Sequence, residues 1–505
     1  MNRPVSTLPE YFALKSKSNG KYLKYRRDDP KARAVLQFSG DELVDVLVKF
    51  FSDGVTGPDG GSSTTYHLRC CYNKKYWQKV SQSQGESLII GGGDTPDDDI
   101  SKWSCTLFRP EFQEEGVARL VHVQSGGYLG RGSSDPAAVG GPDCLVVVAA
   151  AERAEVCEVV NYREAVVTLP KLVAFKGDNG KYLKASHIKP IIMQGGMPKM
   201  NAPTYKTLQF TGEKLSDPSV SHEVFVNPAD ATISIKSGSG GEKGFWRRNE
   251  YVENRIFLVE SERDHPDFHD KETLFKVHRL HPSQPLYGLI SCGANMPCKR
   301  VDHPTYRHCL RAQDVDVEPY NKLSVEEPIV WRRMYEADFK TADARIYPVE
   351  QPKVEVLIHP NETTQVSKVK VQVGKTESHA TSWSNSYGWK IGGSVELTTD
   401  FTGIPLVKEA KVVVSGEHSE EKSEGGSQEE SKSSAVEVEI PVPPKKQLRI
   451  TTTVTKTACD VPFDYSYTEM RHDGTTADLR VQDGLFTTTT TTTVVATKEE
   501  ELGTK

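Results

Sequence analysis

Two tryptophans stand near side chains that could hold a sugar: Trp77 ahead of Glu86 and Ser87, and Trp246 beside Arg247 and Asn249. An indole face suits the C–H groups of a pyranose, and neighbouring polar groups suit its hydroxyls. These six residues are the candidate carbohydrate contacts, the alternative for the two rings being burial in a core. Other groups resolve into structure rather than chemistry. Asp97, Asp98 and Asp99 lie in a turn flanked by Pro and Gly, which reads as a solvated loop rather than a glycosidase acid and base. His265 and His269 are spaced i, i+4, but Pro266 between them breaks the helix that would bring both to one metal. Gly91, Gly92 and Gly93 lack the lysine and following helix of a phosphate loop. The nine cysteines contain no CxxC pair and read as buried thiols. No catalytic residue, metal or cofactor is assigned, and the chain is expected not to be an enzyme.

A second constellation would act on lipid. Residues 394–402 alternate, with Val395, Leu397, Thr399 and Phe401 on one face and Ser394, Glu396, Thr398 and Asp400 on the other. Residues 408–416 put Ala410, Val412 and Val414 opposite Glu409, Lys411 and Ser415, with Lys408 and Val413 interrupting the pattern. Between the arms Ile404, Pro405, Leu406 and Val407 form an apolar tip. Each arm has about nine residues, near the ~9–11 that a tilted strand needs to cross a bilayer. The hairpin cannot insert alone, because its edge N–H and C=O groups would be unpaired in hydrocarbon; a closed barrel from several copies would satisfy them. The candidate membrane-insertion residues are Val395, Leu397, Phe401, Ile404, Pro405, Leu406, Val407, Val412 and Val414, and a homo-oligomer is implied.

The elements that position these residues follow from internal repetition. The stretch Phe12-Ala-Leu-Lys-Ser-Lys-Ser-Asn-Gly-Lys-Tyr-Leu-Lys-Tyr25 returns as Leu172-Val-Ala-Phe-Lys-Gly-Asp-Asn-Gly-Lys-Tyr-Leu-Lys-Ala185. Leu36-Gln-Phe-Ser-Gly40 returns as Leu208-Gln-Phe-Thr-Gly212, in the same order, so a domain of about 160 residues is duplicated. Within each copy a turn precedes an aromatic and an apolar residue, as in Asn19-Gly-Lys-Tyr-Leu23, Asn73-Lys-Lys-Tyr-Trp77, Gly126-Gly-Tyr-Leu129 and Lys243-Gly-Phe-Trp246. Asn-Gly between apolar residues is a hairpin signal through a type I′ turn. Three such units of about 50 residues, without a long amphipathic helix, predict a β-trefoil in each copy, over residues 6–163 and 168–325.

Leu36-Gln-Phe-Ser-Gly40, Trp103-Ser-Cys-Thr-Leu-Phe108 and Arg119-Leu-Val-His-Val-Gln124 resemble the agglutinin domain of the amaranthin lectins of plants. The resemblance implies paired β-trefoils, head-to-tail dimers and recognition of a Gal/GalNAc-containing glycan. Where that family carries an aromatic-rich loop, this chain reads Gln84-Gly-Glu-Ser-Leu88, so the resemblance does not fix the disaccharide.

From Lys353 onward Val and Thr dominate, as in Val366-Ser-Lys-Val-Lys-Val-Gln-Val373 and Leu448-Arg-Ile-Thr-Thr-Thr-Val-Thr455, predicting long strands. The run Thr487 to Thr493 is expected to be an exposed strand. Trp383-Ser-Asn-Ser-Tyr-Gly-Trp389, Gly403-Ile-Pro-Leu-Val407, Val442-Pro-Pro-Lys445 and Tyr465-Ser-Tyr467 are similar to the aerolysin family, over residues 340–496. That resemblance implies an elongated β-sheet module that forms pores after oligomerising on a receptor-bearing membrane. The chain as a whole is thus expected to be all-β.

Composition limits what else the chain could do. At 505 residues, 36% hydrophobic and 26% charged, it has an ordinary globular balance and room for three cores. A net charge of -6 without a basic stripe argues against nucleic acid. The N-terminal residues lack the apolar run of a signal peptide, so synthesis in the cytoplasm and action at a target cell membrane are expected. The sequence predicts a pore-forming defence lectin; a rival keeps the lectin heads but gives the last module only a multimerising role in glycan cross-linking or stress signalling.

Overall fold

The computed structural model describes residues 7–27, 33–55, 65–80, 87–133, 140–188, 193–194, 197–198, 205–237, 243–250, 255–259, 264–281, 284–303, 306–313, 321–385, 394–397, 412–415, 428–433 and 436–501. The first head is built from β1 (Tyr11–Ser16), β2 (Tyr22–Tyr25), β3 (Leu36–Gly40), β4 (Phe50–Val55), β5 (Thr65–Cys70), β6 (Tyr76–Val80), β7 (Ser87–Gly93), β8 (Leu107–Glu114), β9 (Val117–His122), β10 (Gly127–Arg131), β11 (Leu145–Val148) and β12 (Cys157–Asn161). Antiparallel pairing runs β1 to β4, β5, β8, β9, β12 and back to β1, a closed six-stranded ring. The hairpins β2–β3, β6–β7 and β10–β11 cap it, so the fold is a β-trefoil.

The second head repeats the plan. Its strands are β13 (Leu172–Lys176), β14 (Tyr182–Ile188), a small ladder of β15 (Met193–Gln194) and β16 (Met197–Pro198), β17 (Tyr205–Gly212), β18 (His222–Val226), β19 (Ile233–Ser237), β20 (Gly244–Asn249), β21 (Arg255–Val259), β22 (Phe275–Arg279), β23 (Leu286–Ser291), β24 (Met296–His303), β25 (Tyr306–Ala312) and β26 (Leu323–Glu326). The ring β13–β18–β19–β22–β23–β26 closes on itself. Closure removes the unpaired edges that an open sheet would expose.

The repeated turn is not the mirror-image hairpin turn expected from Asn-Gly. Gly20 takes the left-handed region (φ +72°), whereas Asn19 is absent from the positive-φ residues. Asn19 works through its side chain: its carboxamide oxygen accepts from the Lys21 N–H at 2.9 Å and its nitrogen donates to the Phe38 carbonyl at 3.1 Å. Asn179 does the same with Lys181 and Phe210. The asparagine is thus a cross-link from the turn to the next cap strand.

The remaining strands form a C-terminal module: β27 (Ile329–Phe339), β28 (Arg345–Pro348), β29 (Lys353–Pro360), β30 (Ser367–Asn385), β31 (Ser394–Leu397), β32 (Val412–Ser415), β33 (Gln428–Ser433), β34 (Val436–Val442), β35 (Lys446–Arg471) and β36 (Thr476–Glu501). β27, β28 and β29 pair in succession along one side of β35, and β36, β30 and then β33 and β34 continue the sheet on the other. β35 and β36 each have 26 residues, which at the usual rise of a strand is roughly 85 Å. Met334, Val461, Phe463, Tyr465, Tyr467 and Phe486 pack at one end. The threonine run is not an exposed strand: it lies mid-sheet between β30 and β35, with Thr488 fully buried and the Thr487 hydroxyl donating to Asp460 at 2.8 Å. No helix of the described residues is long and apolar enough to cross a membrane.

Candidate functional site

The structure removes both tryptophans from the sugar site. Trp77 and Trp246 are 0% exposed, and a ring without accessible surface cannot stack on a ligand. Trp77 packs edge-on to Phe50 and Phe108, with ring centres 4.9 and 5.8 Å away. Trp246 meets Phe175 and Phe275 at 5.5 and 6.0 Å, and its indole N–H donates to the Ser237 hydroxyl at 3.1 Å. The physical reason lies in the repeat. Trp77 and Trp246 fill the position that Leu23, Leu129 and Leu183 fill in other units, all five buried and pointing into the barrel.

Their polar neighbours do not converge either. Arg247 ion-pairs with Asp270, while Arg248 makes a two-pronged bond to Glu272 at 2.6 and 2.8 Å that braces β20 against the turn before β22. Asn249 is half-buried at the end of β20, and Ser87, half-buried, opens β7 opposite Val147. Glu86 lies outside the described residues.

What the heads do present is Trp103, 63% exposed, with Ile100 at 62% on the same loop. The aspartates read as merely solvated hold this loop in shape. The Asp97 carboxylate accepts from the Ser104 hydroxyl at 2.6 Å and from the Asp99 N–H at 3.1 Å. The Asp99 carboxylate accepts from the Ser101 hydroxyl at 2.6 Å and pairs with Lys102 at 3.3 Å. These hydrogen bonds, led by those from Ser104 and Ser101, hold both carboxyl groups below their ordinary pKa. An open indole beside fixed carboxylates and an ammonium has the composition sought at Trp77. The available signal was that Trp103 is the tryptophan of the first head that stands outside the repeated position.

The arms named as a membrane hairpin do pair. Val395 lies opposite Val414 and Leu397 opposite Val412, antiparallel. The same register governs the strands on either side: Ser367 faces Val442, Val373 faces Val436, Thr376 faces Ser433 and Thr381 faces Gln428. In each of these pairs, from Ser367 with Val442 to Leu397 with Val412, the two residue numbers add to one constant. β30 and β31 on one side, and β32, β33 and β34 on the other, therefore share a single hairpin register. Phe401, Ile404, Pro405, Leu406 and Val407 lie outside the described residues. β31 approaches β27, within 8 Å between Cα atoms.

The first head is bolted to this module through buried charge. Asp343 accepts from the hydroxyls of Tyr25 at 2.9 Å and Tyr72 at 3.1 Å, and Arg27 pairs with Asp464 at 3.1 Å. Arg345 donates to the Asp94 carbonyl at 2.7 Å with its guanidinium over the Tyr76 ring. Burial pushes the Asp343 carboxyl up, and the two tyrosine hydrogen bonds pull it back in part. None of these three anchors involves a described residue of the hairpin arms.

A family model described as the agglutinin domain matches residues 6–158 and again 167–281. No curated protein matches the chain. Among solved structures, the hemolytic lectin CEL-III aligns over 99% of this chain and 95% of its own at 10% identity, with a TM-score of 0.29. A mosquitocidal holotoxin aligns over 66% of this chain at 9% identity and TM-score 0.28, and the chain spans 36% of its length. The lamprey immune protein aligns over 67% of this chain and 93% of its own at 12% identity and TM-score 0.26.

Proposed function

Because the chain belongs to the agglutinin-domain family, we propose that it is an amaranthin-like lectin whose heads dock on Gal/GalNAc-type glycans and whose C-terminal module, acting like that of the aerolysins, perforates the membrane beneath in plant defence. It does so by binding and refolding, without catalysis. The observation that carries the reading is the shared register from Ser367 with Val442 to Leu397 with Val412. One register already spans the sheet-bound stem and the apolar arms, so extension into a longer hairpin needs no re-pairing, which would otherwise flip every side chain to the other face.

Two further features support the reading. The alternation of Val395 and Leu397 with Ser394 and Glu396 supplies one face for lipid and one for water. Every residue of β29 is exposed and its outer edge has no strand partner among the described residues, so copies have an edge on which to assemble. Trp103 is the proposed sugar platform.

Dye release from glycan-bearing liposomes tests this. Wild type is expected to bind and release dye; Leu397→Asp is expected to bind equally and release none, because a carboxylate on the lipid face is expelled from hydrocarbon. Trp103→Ala is expected to lose binding and release together. Wild-type binding with agglutination but no release would overturn the pore and leave the non-lytic, cross-linking lectin.

A further inference from the structure

Where the two heads meet, the linker after β12 and the strand-end Arg279 of β22 wall a cleft of about 490 Å³. The heads are fixed there: the N–H groups of Leu43 and Val44 donate to the Pro228 carbonyl of the other head at 2.7 and 3.4 Å. The cleft is within the usual range for small-ligand sites, ~300–1,000 Å³. Its lining joins three cations, Lys49, Arg163 and Arg279, to the rings of Tyr162 and Tyr287 and the aliphatic Val167, with no carboxylate among its lining residues.

The cations are unevenly neutralised. Arg163 pairs with Glu10 at 2.8 Å at the rim. Lys49 has its ammonium over the Tyr11 and Tyr162 rings, 5.0 Å from each centre, and Arg279 stands over Tyr287 at 5.9 Å. Among the described residues neither has a carboxylate within ion-pair distance. Two aromatic faces hold Lys49 by cation–π attraction in a half-buried setting. Burial pushes its pKa down, Cys71 and Asp483 pull it back in part, and Lys74 and Arg163 push it down further. An anion in the cleft would be stabilised by Lys49 and Arg279, Arg163 being already paired with Glu10.

We infer that this inter-head cleft binds a carboxylated pyranose, such as a uronic acid unit of an acidic glycan, with its carboxylate toward Lys49 and Arg279 and its ring against the tyrosine and valine walls. A bare phosphate would leave those walls and most of the volume unused. A nucleic acid strand would need a continuous basic track, which the chain lacks. The inference rests on the lectin reading but concerns a different surface from Trp103.

Calorimetric titration of the full chain with glucuronic acid, its methyl ester, glucose and inorganic phosphate tests it. Glucuronic acid is expected to bind at least about tenfold tighter than the ester, glucose or phosphate. Arg279→Gln, at an exposed strand end, is expected to lose that preference while keeping the melting temperature and the Trp103-dependent binding to glycan-bearing liposomes. Equal binding of phosphate or of the ester, or an unaltered preference in Arg279→Gln, would overturn the inference, as would no binding of glucuronic acid. If liposome binding survives in that last case, the lectin reading stands without the acidic subsite; if liposome binding is also absent, it is the lectin reading that has failed.

Discussion

The heads and the C-terminal module use the same alternating strands to opposite ends. Each head closes its strands into a ring and buries one tryptophan completely at its centre, Trp77 in one and Trp246 in the other. The module leaves its sheet open, and away from its small core it exposes Val354, Val356, Leu357 and Ile358 at 44–60%. A closed barrel has no backbone group left to offer a partner. An open sheet with apolar residues outside keeps both pairing capacity and burial in reserve. The difference teaches that closure uses up the pairing capacity of the heads' ring strands, whereas the module keeps an unpaired apolar edge among its described residues.

The largest effect that could break this comparison is in a head. Trp246→Ala removes a fully buried ring packed against Phe175 and Phe275 and should cost about 3–5 kcal/mol, read in a urea or thermal melt. The same measurement on Leu397→Asp should show little change, because in the proposed mechanism that residue acts only once the hairpin meets lipid. A head that tolerated Trp246→Ala would not be the rigid unit that closure implies, and the sugar-contact role would have to be reopened.

That role illustrates how much of the molecule was legible. The duplication and the trefoil could be read because each unit repeats its turn and its inward residue, and closure demands such repetition. The same repetition held the answer for Trp77 and Trp246, since it aligns them with Leu23 and Leu129; an aromatic with Arg or Asn beside it reads alike for core and for ligand. Trp103 was hidden because its exposure depends on Asp97 and Asp99 bracing a loop, a tertiary fact without periodicity. The arms of the hairpin were legible from alternation. Their continuity with Ser367 and Val442 was not, because the intervening polar residues carry no period-two signal.

A middle-sized effect sharpens the contrast through acid. His222 is fully buried between the Ser237 hydroxyl at 2.9 Å and the Leu183 carbonyl at 3.0 Å, and burial lowers its pKa from 6.5 to about 4. A depressed pKa means the neutral ring is the native form. Its contribution is therefore complete above about pH 6.5 and lost as the pH falls toward 4, by up to about 3 kcal/mol. The Asp343 carboxyl at the junction has the opposite sign: its raised pKa makes its contribution greatest in acid and smaller as the pH rises through the folded-state value. Melts of wild type between pH 7 and 4 should thus show the second head weakening, and His222→Gln should flatten that slope. An equal slope in the variant would assign the acid sensitivity elsewhere.

The smallest effect on stability tests the module's side of the comparison. Val356 sits on β29 opposite Thr451 of β35, 44% exposed on an edge with no outer partner among the described residues. Val356→Lys should leave the monomer's melt within about 0.5 kcal/mol of wild type, because the side chain is already largely in water. A lysine on an edge strand blocks edge-to-edge pairing, since a second chain would have to bury its charge. Chemical cross-linking on glycan-bearing vesicles should therefore show fewer assemblies with binding unchanged. Unchanged assembly would mean that β29 is simply an exposed edge, and that copies join through another surface; a matching loss of stability would mean that the open sheet is already doing, within one chain, the packing work reserved here for its partner.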